Sequence, residues 1–472
     1  MEELGCNQEA ALPLDPTADL DREHGPVERT DVVERDDGRS ARRQMLEAFD
    51  VRPEHQSDER RDDREADAPP AVQLAPGHER HASVRLMDVL AIRDLAAAQR
   101  DRYLAALRTM VNIDSGTFNR AGVNRIADLC EARFSEGGWD VERIGPTPGG
   151  DQPELGDQLV GTFRGAGRAR VLMVGHMDTV FDDGTAAERP FSVHGERAYG
   201  PGVSDMKGGL LAGFFAVDVL RGAHVDGFER ITYVCNPDEE IGSPSSTATI
   251  RRLAADHDAA LILESGRANG DVVSSRKGTT DYVIRIHGRA AHAGVEPGEG
   301  RSAVIEAAHK AIEIADIHGR WPGVTCNIGV LRGGTRSNVV AEEAVLEVDL
   351  RSPELATLEE AKRAIEAICA QPVSDGVSIS ARSASGHRPM EKSRASQRLV
   401  DVAVPVAEEL GFALSDAATG GASDGNTTSA AGCPTLDGLG PVGGGAHSRD
   451  EWLDLESIVP RIALLAGVIT RV

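Results

Sequence analysis

The sequence is poor in aromatic side chains, 4% of 472 residues, and its six cysteines include no Cys-x-x-Cys pair. Cys6, Cys130, Cys235, Cys326, Cys369 and Cys433 are scattered, which excludes both a thiolate zinc site and a disulfide framework. They are expected to be reduced and mostly buried. Any metal bound here must be held by histidine and carboxylate. No apolar run reaches the roughly eighteen residues of a transmembrane helix. The opening Met1-Glu-Glu-Leu-Gly-Cys lacks the basic and apolar regions of a secretory signal. A cytoplasmic protein with no membrane partner is therefore expected. Positive charge is scarce too: the formal net charge is −25. Phosphate binding needs a basic face, so nucleic acid is excluded as a partner, and the acidity is read as solubility.

The length predicts two or three domains. Over the first 80 residues acidic side chains outnumber basic ones twofold, and Phe49 is the only aromatic. Such a segment cannot bury enough apolar surface to offset its ordering entropy, so residues 1–82 are expected to be a disordered acidic leader. Apolar spacing from Leu90 to Met110 predicts one helix over 86–111, and a second is expected over 121–135. Strands are expected at 140–144, at 158–164 and at 170–174, the last two paired with each other. The strand at 170–174 runs into Gly175-His-Met-Asp178. An apolar helix at 209–221, strands at 231–235 and 259–264, and a helix at 245–255 follow. Strands separated by helices suggest parallel pairing, with their carboxyl ends facing one crevice.

From Gly278 the pattern changes. Strands at 281–287, 324–332, 344–350 and 377–381, with helices at 302–315 and 358–369, give the β-α-β-β-α-β order of a ferredoxin-like unit. The fold class is therefore α/β, a mixed-sheet catalytic domain (83–277 and 389–472) with an inserted ferredoxin-like α+β domain (278–388). A helix at 395–410, a glycine-rich loop at 419–426, a short strand at 434–437, a flexible glycine stretch before His447 and a helix at 455–470 complete the chain.

Taken singly, the polar residues at these strand ends are ordinary. Asp205 reads as a helix N-cap, Asp238-Glu239-Glu240 as solvated charge at a turn, Glu264 as a common strand end and His447 as a surface residue. Together they are two imidazoles and several carboxylates without a thiolate. That donor set suits Zn²⁺, with Co²⁺ or Mn²⁺ possible.

Gly175-His-Met-Asp-Thr-Val180, Gly200-Pro-Gly-Val-Ser-Asp-Met-Lys-Gly-Gly209, Asp238-Glu-Glu-Ile-Gly-Ser243, Ala291-His-Ala-Gly294 and Ala446-His-Ser448 occur in that order. They resemble the dizinc peptidases and amidohydrolases of the glutamate carboxypeptidase, acetylornithine deacetylase and succinyl-diaminopimelate desuccinylase family, over residues 85–472. The resemblance implies a zinc-exopeptidase-like fold, two Zn²⁺ per subunit and a homodimer built through the inserted dimerisation or lid domain. It implies His176, Asp205 and Glu264 around one ion, and Asp205, Glu240 and His447 around the other. Asp178 would orient His176, and Glu239 would be the general base. Adjacent side chains on an extended backbone diverge, which would let Glu239 and Glu240 take different roles. His292 would reach a site across the dimer. Ser337, Asn338 and Arg351 match positions that bind substrate, Arg351 having a strand-end salt bridge as its ordinary alternative, and Gly420, Gly421 and residues 423–426 would line the pocket by close backbone approach. Ser265 stands where many relatives have proline.

The activity implied is cleavage of an amide or peptide bond in a small peptide or N-acyl amino acid, as a glutamate-type carboxypeptidase or acyl amino acid hydrolase. A biosynthetic deacylase of the acetylornithine or diaminopimelate type is the alternative. A catalytically inactive scaffold is the reading from another class.

Overall fold

The computed structural model describes residues 89–146, 154–383 and 386–472. The leader at 1–82, the expected helix start at 86 and the Pro- and Gly-rich stretch at 147–153 lie outside the described residues. In chain order the first part holds α1 (Val89–Ala97), α2 (Arg100–Val111), α3 (Arg120–Gly137), β1 (Asp140–Ile144), β2 (Gln158–Arg164), β3 (Ala169–His176), α4 (Thr185–Glu188), β4 (Ser192–His194) and β5 (Arg197–Tyr199). It continues through α5 (Gly208–Gly222), β6 (Phe228–Asn236), α6 (Thr247–Ala254), β7 (Ala259–Ile262), β8 (Ser265–Gly266) and β9 (Val272–Arg276). A second group follows: β10 (Gly278–His287), α7 (Ala303–Ala315), β11 (Thr325–Gly333), β12 (Glu343–Ser352), α8 (Leu355–Cys369) and β13 (Ser378–Ser383). The chain ends with α9 (Arg394–Leu410), β14 (Asp416–Thr419), α10 (Asp424–Ala430), β15 (Thr435–Leu436), β16 (Gly440–Gly444), β17 (Trp452–Asp454) and α11 (Ile458–Ile469).

The main sheet has the order β1-β2-β6-β3-β7-β15, antiparallel through β6 and parallel from β6 to β15. The expected pairing of β2 with β3 does not form, because β6 lies between them. Their linker crosses the start of β6 instead: the N–H groups of Gly165, Ala166 and Gly167 bond the carbonyls of Glu229, Asp226 and Phe228. Four extended residues reach about 13 Å, enough to step over one strand at a spacing of about 4.8 Å. The expected single helix over 86–111 is two, with a turn at Ala98-Gln99. Val89, Ile92 and Ala96 before the turn and Tyr103, Leu107 and Met110 after it enter the same core. The apolar period therefore continues across a break in the backbone. The glycine-rich loop expected at 419–426 turns helical at Asp424 and runs on as α10, where the Ser423 hydroxyl accepts the Gly425 N–H and Asn426 reaches back to the Ser423 N–H. The glycine stretch before His447 is strand β16, paired with β8 and β17.

Helix α5 is apolar and buried over most of its length, only Asp218, Arg221 and Gly222 reaching outward, with Leu210, Leu211, Phe214, Phe215 and Val217 inside. Each such side chain contributes about 1.5–3 kcal/mol when fully buried. The scarce aromatics are pooled here: Phe134, Trp139, Phe163, Phe214, Phe228 and Tyr233 meet edge-on or tilted at 4.7–6.0 Å between centroids. This cluster ties α3 and α5 to the sheet. The first turn of α5 also lies against the end of β7, where a Cβ on Gly209 would stand 1.7 Å from the Leu263 carbonyl oxygen. Gly209→Ala is expected to destabilise the fold by about 3 kcal/mol, the upper end for overpacking. Denaturant unfolding of wild type and variant measures this, and an unchanged midpoint would contradict it.

The second sheet has the order β11-β12-β10-β13 with every neighbour antiparallel, as in a ferredoxin-like split β-α-β. Burial alternates along β10, where Tyr282, Ile284 and Ile286 face a separate core shared with α7 and α8. The two chain crossings between the sheets pair with each other. Arg276 and Met390 exchange N–H···O bonds at 3.0 Å, and Thr279 and His387 at 2.9 and 3.1 Å. No described helix is long and apolar enough to cross a membrane. The five described cysteines are free and buried.

Candidate active site

Parallel register brings the strand ends together. His176 ends β3 and stands opposite Asn236, the last residue of β6. Glu239 and Glu240 follow three and four residues later. Val174 pairs with Ile262, and the Leu263 N–H bonds the Val174 carbonyl, which sets Glu264 beside His176. Glu239–Ile241 is one turn of 3-10 helix rather than the extended backbone expected. Neighbouring side chains on such a turn still diverge, being about a third of a turn apart.

Asp205 lies at the centre. Its Oδ1 is 3.2 Å from His176 Nε2, and its Oδ2 is 3.2 Å from His447 Nε2. His176 Nε2 is also 3.6 Å from Glu264 Oε1, and His447 Nε2 is 3.1 Å from Glu240 Oε2. One carboxylate therefore faces both imidazoles, each of which has a further carboxylate beside it. His447 reaches the cluster from a backbone in the left-handed region, with φ of 62°.

Asp178 is wholly buried and works through several contacts. The nearest partner of His176 Nδ1 is the Asp178 backbone carbonyl at 3.0 Å, with the Asp178 carboxylate at 3.3 Å. That carboxylate accepts the Thr117 hydroxyl at 2.6 Å and the N–H groups of Glu239 and Glu240 at 3.2 Å. It thus orients the ring and holds the glutamate turn at the same time.

The protonation equilibria reflect the crowding of these groups. Burial and the Asp205 charge push Glu264 up to about 8. Burial raises Glu240, with Asp205 adding to it. Burial, with Glu264 and Glu240 beside it, raises Glu239 well above the usual range despite the opposing charge of His176. Hydrogen bonds to Asp205 and Glu240 push His447 up to about 10. Against the desolvation of burial, bonds to Asp178 and Asp205 hold His176 well above its ordinary value. So many crowded carboxylates favour a cation.

The donor set fits divalent metal. Ligand atoms of His176, Asp205 and Glu240, and of His176, Glu239 and Glu264, lie within 4.8 Å of one another. Donors around a tetrahedral ion at about 2.1 Å stand about 3.4 Å apart. The 3.1–3.6 Å separations around Asp205 match that spacing.

The remaining expected site residues bond to other partners. His292 is exposed and bonds within its own turn, its Nδ1 accepting the N–H groups of Gly294 and Val295 at 3.1 and 3.2 Å. Asn338 is exposed beside that turn, its carbonyl accepting the Ala293 N–H. Arg351 is held by Asp349 at 2.8–3.1 Å, and its Nη1 donates to the Gly420 carbonyl at 3.0 Å. Gly420 has open space where a Cβ would stand, and the Gly421 carbonyl accepts Arg276 Nη1 at 3.2 Å.

Several contributors carry no sequence signal strong enough to single them out. Thr117 approaches Asp178 from a loop 61 residues away. Asp424, at the start of α10, accepts the Ser243 hydroxyl at 2.6 Å and the Asn236 side-chain amide beneath the glutamate turn. Arg276 bonds Asp437 at 2.6 Å, and its charge acts on Glu264 and Glu239. Glu451 accepts three N–H groups of the Asp205 loop. Asp424 falls within the 423–426 stretch expected to line the pocket, though no local pattern signals its bond to Ser243; for the others, acid four residues after His447 is a local pattern that could have drawn attention to Glu451.

The sequence profile of Peptidase family M20/M25/M40 matches residues 172–471. Carboxypeptidase G2 of Pseudomonas sp. is 29% identical over 377 residues, 79% of this chain and 90% of that protein. Acetylornithine deacetylase of Salmonella typhimurium is 32% identical over 234 residues, 46% of this chain and 58% of that one. Among solved structures, aminopeptidase PepT from Bacillus cereus superposes with a TM-score of 0.65 at 24% identity, covering 79% of this chain and 98% of its own. At that identity the likeness speaks for the fold. The profile match spans the strand ends, both histidines and the glutamate turn, and the chain therefore belongs to Peptidase family M20/M25/M40 and is a hydrolase.

Proposed function

We propose that the cluster is a two-metal site hydrolysing the amide or peptide bond of a small peptide or N-acyl amino acid, in the manner of a glutamate-type carboxypeptidase. The observation that carries this reading is Asp205, whose two oxygens face His176 and His447 at 3.2 Å each. His176, Asp205 and Glu264 would hold one ion and Asp205, Glu240 and His447 the other, with Zn²⁺ the best match to the donors and Co²⁺ or Mn²⁺ as substitutes. Bound ions of this kind lower the pKa of a coordinated water towards about 7 and polarise a carbonyl.

The residues of the chain do the rest. Glu239, its affinity for protons raised by burial and by its glutamate neighbours, takes a proton from the attacking water and returns it to the leaving nitrogen. Asp178 and Thr117 keep His176 and the glutamate turn in place. Both N–H groups at His292 Nδ1 leave its proton on Nε2, so the ring is a hydrogen-bond donor. We assign it to a developing oxyanion in the site of a partner subunit. Asn338, Arg351, Gly420 and Gly421 are assigned to the substrate, with Arg351 suited to a carboxylate.

Residues 278–388 are read as an inserted domain and the protein as a homodimer. Ile305 and Ile312 on α7 and Leu331 on β11 are exposed, and β11 is a sheet edge. Such an apolar edge is suited to a second copy. The free buried cysteines support a cytoplasmic location. The likeness to carboxypeptidase G2 covers 90% of that protein, against 58% for acetylornithine deacetylase, which favours the carboxypeptidase reading over the deacylase.

The test is a panel of dipeptides and N-acyl amino acids, several ending in glutamate, assayed with Zn²⁺ or Co²⁺. Turnover of the glutamate substrates is expected, lost on chelation and regained on adding metal. A folded protein that binds no metal and turns over nothing would favour the scaffold.

A further inference from the structure

Glu451 has no part in the chemistry above, yet it is 1% exposed beside a site crowded with carboxylates. A buried charge in such a place is costly unless it is fully hydrogen-bonded. Its partners are all backbone donors of one loop. Oε1 accepts the N–H groups of Ser204 at 2.8 Å and Asp205 at 2.9 Å, and Oε2 accepts that of Gly202 at 2.9 Å. The same residue is tied by a short turn to His447, four positions earlier. In that turn Gly445 and His447 have φ of 69° and 62°, the Ser448 N–H bonds the Gly445 carbonyl at 3.1 Å, and the Asp450 N–H bonds Ser448 Oγ at 3.2 Å. Immediately after Glu451, β17 pairs with β5 and β16, which fixes the far side of the turn.

From this geometry we infer that Glu451 is a positioning residue that sets Asp205 and His447 at their working separation. The two loops lie far apart in sequence, and Glu451 is a direct link between the backbone of one and the turn of the other. Asp205 and His447 share the subsite completed by Glu240, whereas His176 and Glu264 are held by β3 and β7. Loss of Glu451 therefore weakens the Asp205–Glu240–His447 subsite more than the His176–Asp205–Glu264 subsite. The inference rests on the two-metal reading proposed above.

Full-length wild type, Glu451→Gln and Glu451→Met, each stripped of metal, are titrated with Co²⁺ against a competing chelator and followed by visible absorption. Wild type is expected to take up two ions. In Glu451→Met one of the two sites should stay within about threefold of wild type, while the other loses at least about tenfold in affinity, the lower end for loss of an outer partner of a metal ligand. Glutamine keeps one acceptor oxygen for Ser204 and Asp205 and should restore part of that loss. Melting of the metal-free forms separates folding from positioning: a purely structural role lowers the melting temperature and leaves the ratio of the two affinities unchanged, which overturns the inference. Equal weakening of both ions, or no weakening in either variant, overturns it too. Uptake of one ion by wild type would overturn the two-metal reading as well as this inference, whereas two ions in wild type with an unchanged ratio in the variants would overturn the inference alone.

Discussion

Glu239→Gln is expected to lower kcat by about 10²- to 10⁴-fold, the range general acid–base catalysis supplies, while metal content stays at the wild-type level. The amide is close to isosteric with the carboxylate but cannot take up the proton of water at neutral pH. The Glu239 N–H still donates to Asp178, so the turn that carries Glu240 keeps its place. The Glu239 carboxylate stands among the donors, since its ligand atom falls within 4.8 Å of those of His176 and Glu264. For that reason metal analysis must accompany the kinetics. Lost turnover with retained metal supports a base. Lost turnover with lost metal would make Glu239 a ligand, and normal turnover would remove it from the mechanism.

Asp205→Asn is expected to have the second large effect, and on a different quantity. The Asp205 carboxylate turns one oxygen to each imidazole, and an amide offers one oxygen and an NH₂ group that cannot serve as a ligand. In the proposed two-metal reading one of the two subsites would lose a donor altogether, and both would lose negative charge. Removal of outer partners of metal ligands costs about 10- to 100-fold in affinity, so loss of a bridging donor should exceed about 100-fold for at least one ion. Metal content should fall below that of wild type, and activity should vanish in proportion. A variant that keeps its full metal content and turnover would exclude Asp205 as the bridge. The two variants together separate proton transfer from metal binding.

Much of the candidate site is legible in the sequence. His176, Asp178, Asp205, Glu239, Glu240, Glu264 and His447 can each be named because each sits beside a glycine-rich turn or at the end of an apolar run. The β-α-β-β-α-β order from Gly278 is readable from alternating and helical apolar periods, and the second sheet has the strand order that this pattern implies. Differences arise where local pattern and backbone part company. A turn at Ala98-Gln99 is invisible when both flanking helices face one core. Helix α10 begins at a capping Ser423 inside a run that composition reads as loop. Short strands such as β8 and β17 contain too few residues for a period to show, and β16, Gly-Pro-Val-Gly-Gly, has the composition of a loop.

Sequence alone determined which residue types are available to the site: no thiolate pair, two histidines and a set of carboxylates at strand ends, with small residues around them. Those are properties of single positions and short windows. The tertiary structure decided how they act together. Insertion of β6 between β2 and β3 put Asn236 opposite His176 and brought the glutamate turn beside it. Asp178 holds that turn as well as the histidine, Thr117 and Glu451 enter only through contacts across distant parts of the chain, and so does the bond by which Asp424 holds Ser243. The physical reason is that strand register and loop-to-loop hydrogen bonds couple residues far apart in sequence, and no local periodicity records a partner 61 or 246 residues away.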